Sequence, residues 1–200
     1  MNDRSLRKQQ KIERILDHGI EAFRKYGYHS SSVQDLADFC QISKGSFYQY
    51  FESKEHFCRE VIKHYSRRMD GMVTQIINNP DLNGIQKLET FYRAAIDMVK
   101  NSDYKTGCLY GDLSAELGGV NHPCSDTLNS CVEGSCRLFE KAILEGQKDG
   151  SIRKDIAATP LASLSFFSFT GYILRMKVER STAGGEEFLA TFLKQLLSSN

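Results

Sequence analysis

The sequence predicts an all-α protein of about nine helices, in which an N-terminal three-helix unit with a helix-turn-helix precedes a larger helical body. Three observations carry that prediction. Apolar residues recur at three- and four-residue spacing over most of the 200-residue chain. The three prolines, Pro80, Pro123 and Pro160, sit where those patterns pause, which suits long helices better than many short strands. Around residue 40, two short patterned stretches stand close together, each opened by a serine able to cap it.

The first helix is expected from Ser5 to Tyr26, with Ile12, Ile15, Leu16, Ile20 and Phe23 on one face and Arg7, Lys8, Lys11 and Arg14 over its opening turns. Gly27 supplies a stop. Ser32 then caps a short second helix showing Val33, Leu36 and Ala37, and Asp35 makes a capping-box analogue. Gln41 and Ile42 lead to Ser43, the cap of a third helix that starts at Lys44. Two short helices joined this tightly make a helix-turn-helix, whose second helix enters the major groove of DNA.

Ser53 caps a long fourth helix with Phe57, Val61, Ile62, Tyr65, Met69, Met72, Val73 and Ile76 on its apolar side, ending near Pro80. No linker rich in Gly, Pro or Ser follows the head, so this helix itself joins two domains, 1–52 with the helix-turn-helix and 53–200 with the larger helical body. Further helices are expected at about 84–101, 110–119, 124–148, 159–178 and 185–198. The segment Leu161 to Leu174 is apolar on almost every side, which suits burial both within a subunit and against a second copy. A homodimer is therefore expected through Leu161–Lys177 and Phe188–Leu197, weakened by a charge at Phe169 or Leu193.

Composition narrows the function. No apolar run approaches the roughly 20 residues of a membrane span, and the polar, basic start lacks the apolar region of a secretory signal, so no membrane partner and a cytoplasmic location are expected. Six cysteines in a chain of this kind are expected to be reduced thiols. The net charge of +1 conceals a split: residues 1–68 hold thirteen Lys or Arg against nine Asp or Glu, and the rest thirteen against sixteen. A basic head on an acidic body suits phosphate at one end only. No glycine-rich phosphate loop or nucleophile elbow is visible, so neither catalysis nor a cofactor is expected, a cysteine-dependent enzyme being the remote alternative. His122, Cys124, Cys131 and Cys136 lack the paired spacing of a zinc site, and no metal is expected.

The stretch from Leu36 to Glu55, Leu-Ala-Asp-Phe-Cys-Gln-Ile-Ser-Lys-Gly-Ser-Phe-Tyr-Gln-Tyr-Phe-Glu-Ser-Lys-Glu, closely resembles the DNA-binding signature of the TetR/AcrR family of transcriptional regulators. The resemblance implies a homodimeric regulator, most simply a repressor, on a pseudo-palindromic double-stranded DNA operator, released when an inducer reaches the C-terminal domain. The residue chemistry agrees. Ser43 and Ser46 offer hydroxyls, Gly45 permits close backbone approach to phosphate, and Lys44 and Lys54 bring charge near helix starts. Ser32 joins them at the second helix's cap. Tyr48 looks like the family's phosphate-contacting tyrosine, while Gln49 and Tyr50 fall where members differ and base edges are reached, Gln49 being suited to adenine. Phe47 and Phe51 read as core contacts instead. Gln41 stands where the family usually has glycine, so a strained turn is expected.

A second stretch, Gly107-Cys108-Leu109-Tyr110-Gly111-Asp112-Leu113-Ser114-Ala115-Glu116-Leu117, resembles a branch of the family that senses electrophiles and oxidants through a cysteine, the repressor of the N-ethylmaleimide reductase operon among them. Arg175-Met176-Lys177 resembles the end of that branch's penultimate helix. Cys108 follows a glycine and opens a helix, where unsatisfied amides and a cation, Lys105 or Lys177, favour a thiolate. Cys40, Cys58, Cys131 and Cys136 fit apolar helix faces, and Cys124 is the next reactive candidate. The alternative inducer is a small hydrophobic molecule held among Phe91, Tyr92, Tyr104, Tyr110, Phe166, Phe169 and Tyr172.

Overall fold

A computed structural model describes residues 3–119 and 123–199. His122 lies outside the described residues. The described residues form nine α-helices and no strand longer than an isolated bridge: α1 (Asp3–Tyr26), α2 (Val33–Phe39), α3 (Lys44–Tyr50), α4 (Lys54–Ile77), α5 (Gly84–Asn101), α6 (Leu109–Leu117), α7 (Ser125–Asp149), α8 (Ala158–Glu179) and α9 (Ala183–Phe188). The last helix runs on as a π-helical stretch, Leu189–Leu197, a widening that the spacing of its apolar residues did not announce.

The chain packs as two compact units, Met1–Arg68 with Leu109–Val132 and Met69–Cys108 with Glu133–Asn200. Neither is a continuous piece of sequence. Helix α4 is shared between them, and α6 packs against α1 in the first unit. That membership follows from α6's own pattern: Leu109, Leu113 and Leu117 recur every fourth residue and all are buried, so the helix needs an apolar neighbour along one face.

In the first unit, α3 is anchored by Phe47, whose ring lies 5.2 Å from Phe57 of α4 and 5.4 Å from Phe51. Burial of such a ring is worth several kcal/mol, about 3–5 on truncation to alanine, which fixes a seven-residue helix too short to persist alone. Helix α1 is tied to α4 by Asp17, which accepts from His64 Nε2 at 2.8 Å and from Arg68. Burial alone would push the Asp17 carboxyl up, but the His64 and Arg68 partners outweigh it and hold it below the usual range.

The second unit is centred on aromatic side chains. Tyr92 is fully buried, stacks on Phe139 at 5.8 Å, meets Phe169 at 4.6 Å and Phe188 at 4.8 Å, and is hydrogen-bonded to Ser165. Phe91, Phe169 and Tyr92 therefore fill the core with their own rings. The expectation that Phe169 and Leu193 face a second subunit is corrected: they are 4% and 0% exposed. The open stripe of α8 is Leu164, Phe167, Leu174 and Val178, whose spacing of three, seven and four residues follows one helical face.

Candidate functional site

The helix-turn-helix is built by capping. Ser32 Oγ accepts the Asp35 amide at 3.2 Å while the Asp35 carboxylate accepts the Ser32 amide at 2.8 Å and its hydroxyl at 2.6 Å. These bonds, the side-chain one foremost, hold the Asp35 carboxyl below the usual carboxylate range. Ser43 Oγ accepts the Ser46 amide at 3.0 Å and donates to Ser46 Oγ at 3.0 Å. Between the helices Gln41 has φ 56°, the left-handed conformation expected of a glycine position. Its amide donates to Asp38 O at 3.0 Å, and Ile42 N donates to Ala37 O at 3.0 Å.

Helix α3 turns one side inward through Phe47 and the other out. Ser43, Lys44, Gly45, Tyr48 and Gln49 are exposed; Ser46 and Tyr50 are half-buried. Tyr48 is 50% exposed, its ring set edge-on to Phe47 at 5.7 Å, so the hydroxyl projects from a fixed base. Tyr50 carries the Lys11 ammonium 5.7 Å from its ring centroid, which joins the basic opening of α1 to the recognition helix. Lys54 is half-buried, with its ammonium 4.3 Å from the Tyr28 ring, and desolvation lowers its pKa. Sequence reasoning missed the Lys11 contact, because residues 39 positions apart in the chain leave no periodic signal.

It also missed how the turn before α2 is held. The Glu116 carboxylate of α6 accepts the Tyr28 amide at 3.0 Å and the His29 amide at 2.9 Å, while His29 Nε2 lies 3.2 Å from Glu116 O. Gly27 has φ +73°, and a Cβ there would stand 2.6 Å from Glu116 Oε1. Glycine takes this φ without strain and leaves the carboxylate undisturbed.

In the second unit Cys108 is half-buried, directly before the first residue of α6. Lys177 of α8 lies along the preceding backbone: a Cβ on Gly107 would stand 3.0 Å from its Cδ and 3.4 Å from its Nζ. Lys105, the other cation considered, pairs with Asp103 at 3.2 Å. Cys40 is buried and donates to Ile15 O at 3.5 Å, and burial pushes its thiol up to about 12. Cys124 is fully buried instead of presented at an open helix start. Among the described residues no group of three His, Cys, Asp or Glu could hold a metal, and no helix is long and apolar enough to cross a membrane.

Residues 15–61 match the profile of bacterial regulatory proteins of the tetR family, and residues 84–192 that of the tetracyclin repressor-like C-terminal domain. The chain is 32% identical over 187 residues to the HTH-type transcriptional repressor DhaR of Mycobacterium sp. strain GP1, covering 94% of this chain and 92% of that one. It is 23% identical over 180 residues, 89% of each chain, to the HTH-type transcriptional repressor NemR of Escherichia coli K12. Superposition on the crystal structure of reduced E. coli NemR gives a TM-score of 0.86 at 21% identity, over 96% of this chain and 98% of that one. The profile matches and the end-to-end likeness to DhaR show that the chain belongs to the TetR family of bacterial regulatory proteins.

Proposed function

We propose that this protein is a cytoplasmic repressor that binds a pseudo-palindromic operator as a homodimer and releases it when an electrophile modifies Cys108. The observation that carries the inducer assignment is the Lys177 ammonium lying against Gly107, one residue before Cys108. A cation beside a thiol favours the thiolate, the form that adds to an activated double bond. The next residue begins α6, and at the far end of that helix Glu116 grips the turn between α1 and α2. An adduct that displaces the start of α6 is thereby read at the DNA-binding unit. The two similar proteins named above are repressors, and the structure of one of them is of its reduced form. Ring-on-ring packing of Phe91, Tyr92 and Phe169 speaks against the alternative of a loosely held hydrophobic ligand among those side chains.

For DNA, the reading assigns Ser32, Ser43, Lys44, Gly45, Ser46, Tyr48 and Lys54 to phosphate and Gln49 with Tyr50 to base edges. For the dimer, it assigns the open stripe of α8.

The test is N-ethylmaleimide added to the protein on its operator, followed by intact mass and mobility shift. One adduct at Cys108 should release the DNA. Cys108→Ser should bind and stay bound, Cys131→Ser should behave as wild type, and Lys177→Met should react more slowly at neutral pH. Release of the Cys108→Ser protein by maleimide would reject the sensor assignment.

A further inference from the structure

The opening turns of α1 carry a basic stripe that the DNA contacts assigned above do not use. Arg7, Lys11 and Arg14 recur at four- and three-residue spacing, so they share one side of the helix, with Lys8 beside them, and all four are exposed. Glu13, two residues on from Lys11, falls on the opposite side, where it accepts from Gln9 Nε2 at 3.2 Å. Farther along, Asp17 accepts from His64 and Arg68, and Glu21 accepts from Arg24 at 2.8 Å. Positive charge thus gathers on one side of the opening turns, and these carboxylates are engaged elsewhere.

Packing fixes where the stripe lies. Helix α1 is held from behind: Gly19 lets it close on α4, where a Cβ would stand 2.6 Å from both Phe57 Cζ and Val61 Cγ2, and Ile15 O accepts from Cys40 Sγ at 3.5 Å. Phe57 also carries α3, through Phe47 at 5.2 Å, so α1 and α3 stand on one support. In front, the Lys11 ammonium lies 5.7 Å from the ring centroid of Tyr50, the last residue of α3. Lys44 opens the same helix, about 9 Å away along its axis at roughly 1.5 Å per residue. Cations therefore bracket the recognition helix, at its start and at its finish.

We propose that Arg7, Lys11 and Arg14 form a second phosphate-binding site, a rigid arm that takes the DNA backbone flanking the groove filled by α3. The inference rests on the operator reading above and extends it to residues that reading leaves out. A major groove about 12 Å wide has a phosphate strand on either side. The hydroxyls and lysine at the start of α3 serve one strand, and the α1 stripe beside Tyr50 serves the other. From Arg7 to Arg14 the stripe runs about 10 Å along the helix, and a guanidinium at each end can take phosphate oxygens in a two-pronged contact. Such contacts carry no sequence information of their own; they set the register and angle at which Gln49 and Tyr50 meet the bases.

The experiment uses the full-length protein and double-stranded DNA that the wild type recovers from a randomised pool, bound over a salt titration. Arg7→Gln, Lys11→Gln and Arg14→Gln each remove one exposed cation per protomer. Each should make the slope of log affinity against log salt shallower by about 2 in the dimer, at about 0.9 per phosphate. Raising salt from about 50 to 200 mM then costs the variant about tenfold less affinity than it costs the wild type. The weakening should be equal on every recovered sequence, and Lys11→Arg should keep the wild-type slope. Arg67→Gln, on the exposed side of α4 about 20 Å along that helix from Lys54, removes the same charge and should leave the slope unchanged. Ethylation of a phosphate outside the recovered consensus should block the wild type and be tolerated by Arg7→Gln. Unchanged slopes in all three stripe variants overturn the proposal, as does a slope loss that Arg67→Gln matches, which is the effect of net charge alone. Weakening confined to some recovered sequences also overturns it, since the stripe would then read bases. A pool from which the wild type recovers no consensus overturns the operator reading itself, an outcome distinct from a consensus bound with unchanged slopes.

Discussion

Gln41 stands in the left-handed region at φ 56°, where an L side chain crowds its own backbone. Relieving that crowding with Gln41→Gly should stabilise the protein by about 0.5–1 kcal/mol, once the freedom glycine adds to the unfolded chain is subtracted. Thermal denaturation should show a melting point about 2 °C higher, with operator affinity unchanged. Unchanged or lower stability would mean the turn is not strained. At Ser32 the expected effect has the opposite sign. Ser32→Ala removes a cap and should cost about 1 kcal/mol at pH 7. The Asp35 carboxyl that completes this cap is held below its unfolded value, so its share of the stability is present above the unfolded pKa, near 4, and lost as pH falls through the folded one. Urea midpoints of wild type and Asp35→Asn should therefore differ at pH 7 and converge toward pH 3.

Helix α8 has two faces with different fates. Phe169 and Ile173 are buried among the rings of their own unit, whereas Phe167 is 59% and Val178 85% exposed. Large apolar side chains left open along one helical stripe fit a second copy, and the dimer reading depends on them. Phe167→Glu or Leu174→Lys should weaken self-association in analytical ultracentrifugation while the far-UV circular dichroism of the protein stays helical. Phe169→Glu should instead unfold the second unit, since it places a charge in a closed aromatic core. Dimers that survive both exposed-face substitutions would move the interface elsewhere.

Across the whole molecule, Glu116 on the Tyr28 and His29 amides joins segments 87 and 88 residues apart. It makes α6, which follows the Cys108 segment in the chain, part of the same compact unit as the helix-turn-helix. Glu116→Ala would leave two backbone donors without their acceptor, at about 1–3 kcal/mol. The urea midpoint of the variant should fall accordingly, and hydrogen exchange at residues 28 and 29 should quicken. A variant as stable and as protected as wild type would remove Glu116 from any relay.

The sequence by itself determined where the helices lie, the caps of α2 and α3, and the turn between them. Apolar spacing, the serines at 32 and 43, and the non-glycine at 41 are local signals, and each acts within a few residues of where it is written. The recognition helix was legible for the same reason: Lys44, Tyr48 and Gln49 are exposed because Phe47 must be buried, which a seven-residue pattern already contains. Tertiary structure alone decided the rest. Whether an apolar α8 residue meets its own core or the outside depends on which neighbours reach it, so Phe169 and Phe167 could not be told apart by hydrophobicity. Burial likewise sorted the cysteines, separating half-buried Cys108 from Cys124, the other reactive candidate, which is closed off as fully as Cys58. Contacts such as Glu116 with Tyr28 and Lys177 with Gly107 join residues tens of positions apart. No period in the sequence encodes them, because the packing of whole helix faces fixes which distant residues come within a few ångströms.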